Sequence, residues 1–199
     1  MRRSIYLIFS VAAIVFIYSC GSGGGGGSER FSTVEIFASY EDGPYTADAE
    51  IGKDTTGDGN CDTFSYTTDS VVATVTSIAY DPLPTNVDPC DVNILRYSIV
   101  FYPQTGDSPE IPSKIIDQQM NIPAPGGAGS VSVANITLRL FDINDKAYLF
   151  PLYAASPAPE FQYSAKVRLT MEEVCTRIQE HVEFWIPVRY FDDDTDGCN

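Results

Sequence analysis

Beyond residue 30 the apolar residues recur at every second position, and a chain patterned this way buries its apolar side as β-strands. Val34, Ile36 and Ala38 mark a first segment, and Val71, Ala73 and Val75 a second. Leu95, Tyr97, Ile99 and Phe101, opened by Val92 and Ile94, mark a third, and Ile116, Met120 and Ile122 a shorter fourth. Val131 and Val133 run into Ile136, Leu138 and Leu140 with a change of phase that predicts a β-bulge. Alternation from Tyr163 to Met171 and from Val182 to Tyr190 completes the set. Pro187, which has no N–H to give a ladder, predicts an edge or bulge position in the last strand. Seven such strands separated by Pro, Gly and Asp clusters predict an all-β chain folded as an antiparallel β-sandwich.

One segment breaks the pattern. Between Met171 and Val182 no Gly, Pro, Asn or Asp offers a hairpin turn, while Met171, Val174, Cys175, Ile178 and Val182 fall at helical spacing behind Thr170-x-x-Glu173, the spacing of a capping box. A short helix near 171–181 is the alternative to a turn there. The proline-rich stretches 81–89 and 151–159 read as loops.

Residues 1–19 place Arg2 and Arg3 before an apolar run from Ile5 to Ile17, shorter than the roughly 20 residues needed to cross a bilayer core, which reads as an export signal. The stretch Ile17-Tyr18-Ser19-Cys20 resembles the lipobox of bacterial lipoproteins. That resemblance implies cleavage before Cys20 and a lipid-bearing Cys20 as the mature N-terminus, and Gly21 after it implies the outer membrane. Residues 20–29 are glycine-rich and read as a tether, eight such residues spanning about 16 Å as a coil. The domain is then expected over 30–199.

Setting Cys20 aside leaves Cys61, Cys90, Cys175 and Cys198, an even number in a chain sent to an oxidising compartment, and hence two disulfides. No two of them are spaced as a zinc or haem motif. In an immunoglobulin-type order of the seven strands, Cys90 and Cys175 fall at one end of the sandwich and Cys61 and Cys198 at the other. The expected pairs are therefore Cys90 with Cys175 and Cys61 with Cys198. Together with Ser70-Val-Val-Ala-Thr-Val, Arg96-Tyr-Ser-Ile-Val-Phe-Tyr and Ile186-Pro-Val-Arg-Tyr-Phe-Asp, the lipobox and tether resemble Gram-negative lipoproteins with immunoglobulin or fibronectin-like sandwiches. This resemblance implies a fold and a location, and no activity.

Charge narrows the partners. The chain carries 27 acidic and 12 basic residues, a net of −15, and removing Arg2 and Arg3 with the leader makes it −17. No basic surface of the size that releases counterions from phosphates is available, so nucleic acid is not an expected partner. Part of this charge is patterned: Asp54, Thr56, Asp58, Asn60 and Asp62 alternate around Gly57 and Gly59, and Asp192, Asp194 and Asp196 repeat the spacing before Gly197. The first loop resembles the D-x-D-x-D-G calcium loops of EF-hands, dockerins and thrombospondin repeats, though Ser65 stands where an EF-hand has its bidentate glutamate. With Cys61 bonded to Cys198 the two loops meet, and one or two weakly held structural Ca²⁺ ions are the expected cofactor.

Catalytic motifs of the G-x-S-x-G, P-loop, H-E-x-x-H and Rossmann types are absent from the sequence. His181, the single histidine, lies beside carboxylates near a strand start, and the adjacent Glu172 and Glu173 point to opposite faces of a strand. Trp185 shares a face with Glu183, Arg189 and Phe191, opposite the apolar Phe184, Ile186 and Val188. Trp185, Arg189 and Phe191 have the composition of a protein contact. The expected function is that of a non-enzymatic, lipid-anchored envelope module that binds or supports another envelope or extracellular protein. The alternative is an envelope carbohydrate-active enzyme working at the acidic calcium end.

Overall fold

The computed structural model describes residues 26–53, 55–58, 63–83, 87–156 and 160–191. In chain order its elements are β1 (Gly27–Arg30), β2 (Val34–Ser39), β3 (Tyr45–Asp48), β4 (Ile51–Lys53), β5 (Thr63–Ser65), β6 (Asp69–Ala79), β7 (Val92–Pro103), β8 (Lys114–Ile122), β9 (Val131–Phe141), α1 (Ile143–Ala154), β10 (Phe161–Glu173) and β11 (Gln179–Phe191). A four-stranded sheet runs β1-β2-β6-β9, a five-stranded sheet runs β3-β11-β10-β7-β8, and β4 pairs with β5 in a small ribbon. Over the described residues the chain is an all-β sandwich with one short helix. Every segment that alternates in the sequence is a strand, and each turns its apolar set inward except at Val131 and Val133: Ile36, Val75, Ile99, Ile136, Val167 and Ile186 are among side chains with no exposed surface between the sheets.

The segment 171–181 is not a helix. It is the hairpin joining β10 to β11, closed by Glu173 N–H to Ile178 O at 2.9 Å and Arg177 N–H to Glu173 O at 2.8 Å. Arg177 takes φ of 60°, the left-handed conformation that a glycine or asparagine usually supplies. The side chain of Glu173 does not cap a helix either; it is spent on the distant Ser32 and Thr33.

The bulge expected inside β9 is also absent at that place. Pairing with β6 keeps one register from Ile78↔Val131 to Ser70↔Arg139, and the shift falls later, between Asp69 and Ser70. The phase changes because Val131 and Val133 face outward while Ile136, Leu138 and Leu140 face inward. By contrast, the break between Ile94 and Tyr97 is a true irregularity, a register shift of β7 against β8. Pro187 sits in β11 one residue before parallel pairing with β3 begins at Val188, so its missing N–H falls where that flank is not yet laddered.

Helix α1 occupies part of the stretch read as a proline-rich loop. Asp142 caps it, accepting from the N–H groups of Asn144 and Asp145, while the Asp145 carboxylate accepts from Asp142 N–H at 2.6 Å. Leu149 and Lys146 are buried beneath it, and the Lys146 ammonium stands 3.0 Å from an oxygen of Asp69 at the start of β6.

Gly27, Ser28 and Glu29, expected within the glycine-rich tether, belong instead to β1 and pair with β2. Gly27 lies so close to β11 that an added Cβ would stand 1.9 Å from the carbonyl oxygen of Glu183. Only a residue without a side chain fits there, whereas at Gly26 the same atom would meet its nearest neighbour at 3.5 Å. Gly27→Ala is therefore expected to destabilise the domain by about 1–3 kcal/mol and Gly26→Ala by well under about 1 kcal/mol. Equal denaturation midpoints for the two variants would refute this packing role.

Candidate recognition face

The outward face of the five-stranded sheet is built by alternation and register. Because Phe184 and Ile186 point into the core, Trp185 between them points out, and it is 36% exposed. Lys166 lies opposite Trp185 on β10 and opposite Val100 on β7. One step along, the small Ser164 lies between Tyr102 and Pro187, leaving room for the Tyr102 ring to lean toward the indole. The two ring centroids are 5.4 Å apart and tilted by 52°, and the Lys166 ammonium sits 5.8 Å over the indole. Such contacts are worth about 0.5–1.5 kcal/mol beyond area burial, enough to hold the rings in place.

Next to the rings, Glu183 accepts from Lys166 at 2.6 Å and from Arg168 at 2.6 Å. The Lys166 bond, seconded by Arg168, outweighs partial desolvation and holds the Glu183 carboxyl below its ordinary value. Ser98, Val100, Tyr102, Lys166, Arg168 and Glu183 enclose a shallow hollow of about 160 Å³. Aromatic anchors flanked by paired charges over a small pocket match the centre of a protein interface.

Charge is distributed unevenly between this face and the rest of the molecule. Arg96, Lys166, Arg168 and Arg189 lie on it and Arg177 at its hairpin end, half of the ten basic residues beyond residue 19. They face Asp117, Glu160, Glu172 and Glu183, so a chain of net −15 presents one nearly neutral face.

Of the contact residues read from the sequence, Trp185 belongs to this cluster, and Arg189 and Phe191 share its face. They do not join it: Arg189 stacks 5.6 Å over the Phe191 ring and pairs with Glu160, whose carboxyl this pairing holds low. Tyr102 and Lys166 were missing from the sequence reading because they come from other strands, and a single-strand pattern carries no register.

The Cys90–Cys175 disulfide is present, its Cα atoms 5.9 Å apart. Beside it Glu173 is fully buried and accepts hydrogen bonds from Ser32 Oγ, Thr33 N–H at 3.0 Å, Thr33 Oγ1 at 2.7 Å and Thr176 Oγ1 at 2.5 Å. Cys90 N–H in turn donates to Thr33 Oγ1 at 3.0 Å. Burial pushes the Glu173 carboxyl up, but the donors from Ser32, Thr176 and Thr33 overcome it and the net shift is downward. This end of the sandwich is a structural lock.

Cys20, Cys61, Cys198, Asp54, Asn60, Asp62, Asp192, Asp194 and Asp196 lie outside the described residues. Thr56 and Asp58 are described and exposed. Among the described residues, no group of three His, Cys, Asp or Glu side chains is placed to hold a metal ion, and no helix is long and apolar enough to cross a membrane. His181 is exposed on β11 opposite Thr170.

No family model and no curated protein matches the chain. Among solved structures it is similar to one described as the crystal structure of a protein from Archaeoglobus fulgidus, at 11% identity and a TM-score of 0.36, over 65% of this chain and 98% of that one. A likeness at this level carries no inference about activity.

Proposed function

We propose that the chain is a non-enzymatic, lipid-anchored protein of the cell envelope, held at the outer membrane through Cys20, whose sandwich binds an envelope or extracellular protein on the outward face of its five-stranded sheet. The observation that carries this reading is the Trp185–Tyr102–Lys166 cluster, an aromatic pair left partly exposed on the face that gathers half of the post-leader basic residues. An immunoglobulin-type identity belongs to the same proposal. It is supported by the sheet order, in which β2, β6 and β9 share one sheet and β7, β8, β10 and β11 the other.

Trp185→Ala removes the anchor from a half-open position, so it is expected to leave the fold intact and to weaken partner capture by about 2 kcal/mol, roughly thirtyfold. Membrane pull-down with cross-linking checks this, and recovery of the same neighbours in the same yield would exclude the face. Anchoring is tested separately. Cys20→Ser is expected to shift the protein out of the membrane fraction, and unchanged fractionation would end that part of the reading. The Ca²⁺ reading rests on the spacing of Asp54 to Asp62 and Asp192 to Asp196, and calorimetric titration with Ca²⁺ that shows no heat of binding removes it.

A further inference from the structure

The β9 edge of the four-stranded sheet differs from the other edges of the two large sheets. Edge strands β1, β3 and β8 each carry charged residues, Glu29 and Arg30, Asp48, and Lys114 and Asp117, the usual means of discouraging strand addition. On β9 no charge occurs before Arg139, and the run from Gln118 to Leu138, 21 residues, is the longest uncharged stretch after the leader. Nor is there a proline or a register shift from Val131 to Leu138.

The edge is closed at one end only. Tyr97 reaches across from the other sheet to accept from Arg139 N–H at 2.9 Å, and the Lys114 ammonium donates to Leu140 O at 2.7 Å. Before Arg139 no such cap is seen among the described residues. There Val131 and Val133 stand 55% and 59% exposed, and the inward-facing Ser132 and Ala134 are themselves half-buried.

We propose that the open part of β9 pairs antiparallel with the same strand of a second copy, joining two four-stranded sheets into one across a two-fold axis. The occupant follows from charge. Two chains of net −15 repel, and they approach closely only where neither presents a carboxylate, which this edge satisfies against itself. Pairing centred on Ala134 keeps every residue on its own face, sets Val133 opposite Asn135 and Val131 opposite Thr137, and ends at Leu138. Arg139, where the caps begin, stays outside the ladder. The two Val133 side chains, which contribute nothing to the core of one copy, then lie diagonally on either side of the axis, each beside Asn135 of the other copy.

The test uses the full chain in a defined detergent, with mass measured by light scattering over a dilution series. Two-chain mass is expected for the native chain. Val133→Lys places a charge on each copy at an exposed position, and is expected to raise the dissociation constant by about tenfold or more while leaving the melting temperature unchanged. Ala134→Cys is expected to form a covalent dimer on mild oxidation, and Val72→Cys, exposed on the outward face of the interior strand β6, is not. A single-chain mass at every concentration overturns the proposal, as does a dimer that survives Val133→Lys or cross-links as readily through Val72→Cys.

Discussion

Glu173→Ala is expected to lower the stability of the domain by about 3–5 kcal/mol, because hydrogen bonds to a charged group count for about 1.5–3 kcal/mol and the buried donors of Thr33 are left without an acceptor. The carboxylate, itself without exposed surface, gathers the buried Thr33 together with the exposed Ser32 and Thr176. Its dependence on acidity has a definite sign. The folded carboxyl titrates below its ordinary value of 4.5, so its contribution is complete above about that pH and disappears as pH falls through the lower folded value. Glu173→Gln keeps the volume and removes the charge. The stability gap between native protein and this variant should therefore be full at neutral pH and close in acid. Urea denaturation at several pH values measures it, and a gap that stays constant into acid would show that the charge does not matter.

Removing the neighbouring disulfide with Cys90→Ala and Cys175→Ala is expected to cost about 4.5 kcal/mol on the loop-entropy model, inside the usual range of about 2–5 kcal/mol, since the cross-link spans 85 residues. Urea denaturation of the double variant measures it, and a loss below about 1 kcal/mol would mean that the sandwich end holds itself closed without the bond. Thr33 connects the two losses, for its hydroxyl donates to Glu173 and accepts from Cys90 N–H. Combining the substitutions should accordingly give less than the sum of their separate effects.

Period-two alternation made seven strands legible because each turns one side to a common core. It could not reveal β3, β4 and β5, which have four residues or fewer and complete no period. Strand β1 was hidden for another reason: its glycine reads as tether, and only the backbone of β11 pressed against Gly27 explains its presence. The hairpin at Arg177 was missed because the surrounding ladder forces a left-handed residue onto an arginine, a tertiary override of local preference. For α1 the signal was available in Asp142 and Asp145, the two halves of its cap, but Pro151 concealed it. The candidate face was half legible. Alternation along β11 placed Trp185 outward, while Tyr102 and Lys166 required the register of three strands.

The opening of the chain is completed by its closing. Ser32 and Thr33 are held by a carboxylate 141 and 140 positions later, Gly27 is pressed on Glu183, and β3 lies parallel to the last strand. A polypeptide threaded through a membrane with its N-terminus leading cannot complete these contacts early, since the partners are the last to arrive. Strands β1 to β3 then wait in an unlatched state until the β10–β11 hairpin emerges. Under the export proposed above, the fold would thereby postpone its own closure until passage is nearly finished, keeping the chain threadable for as long as it must be threaded.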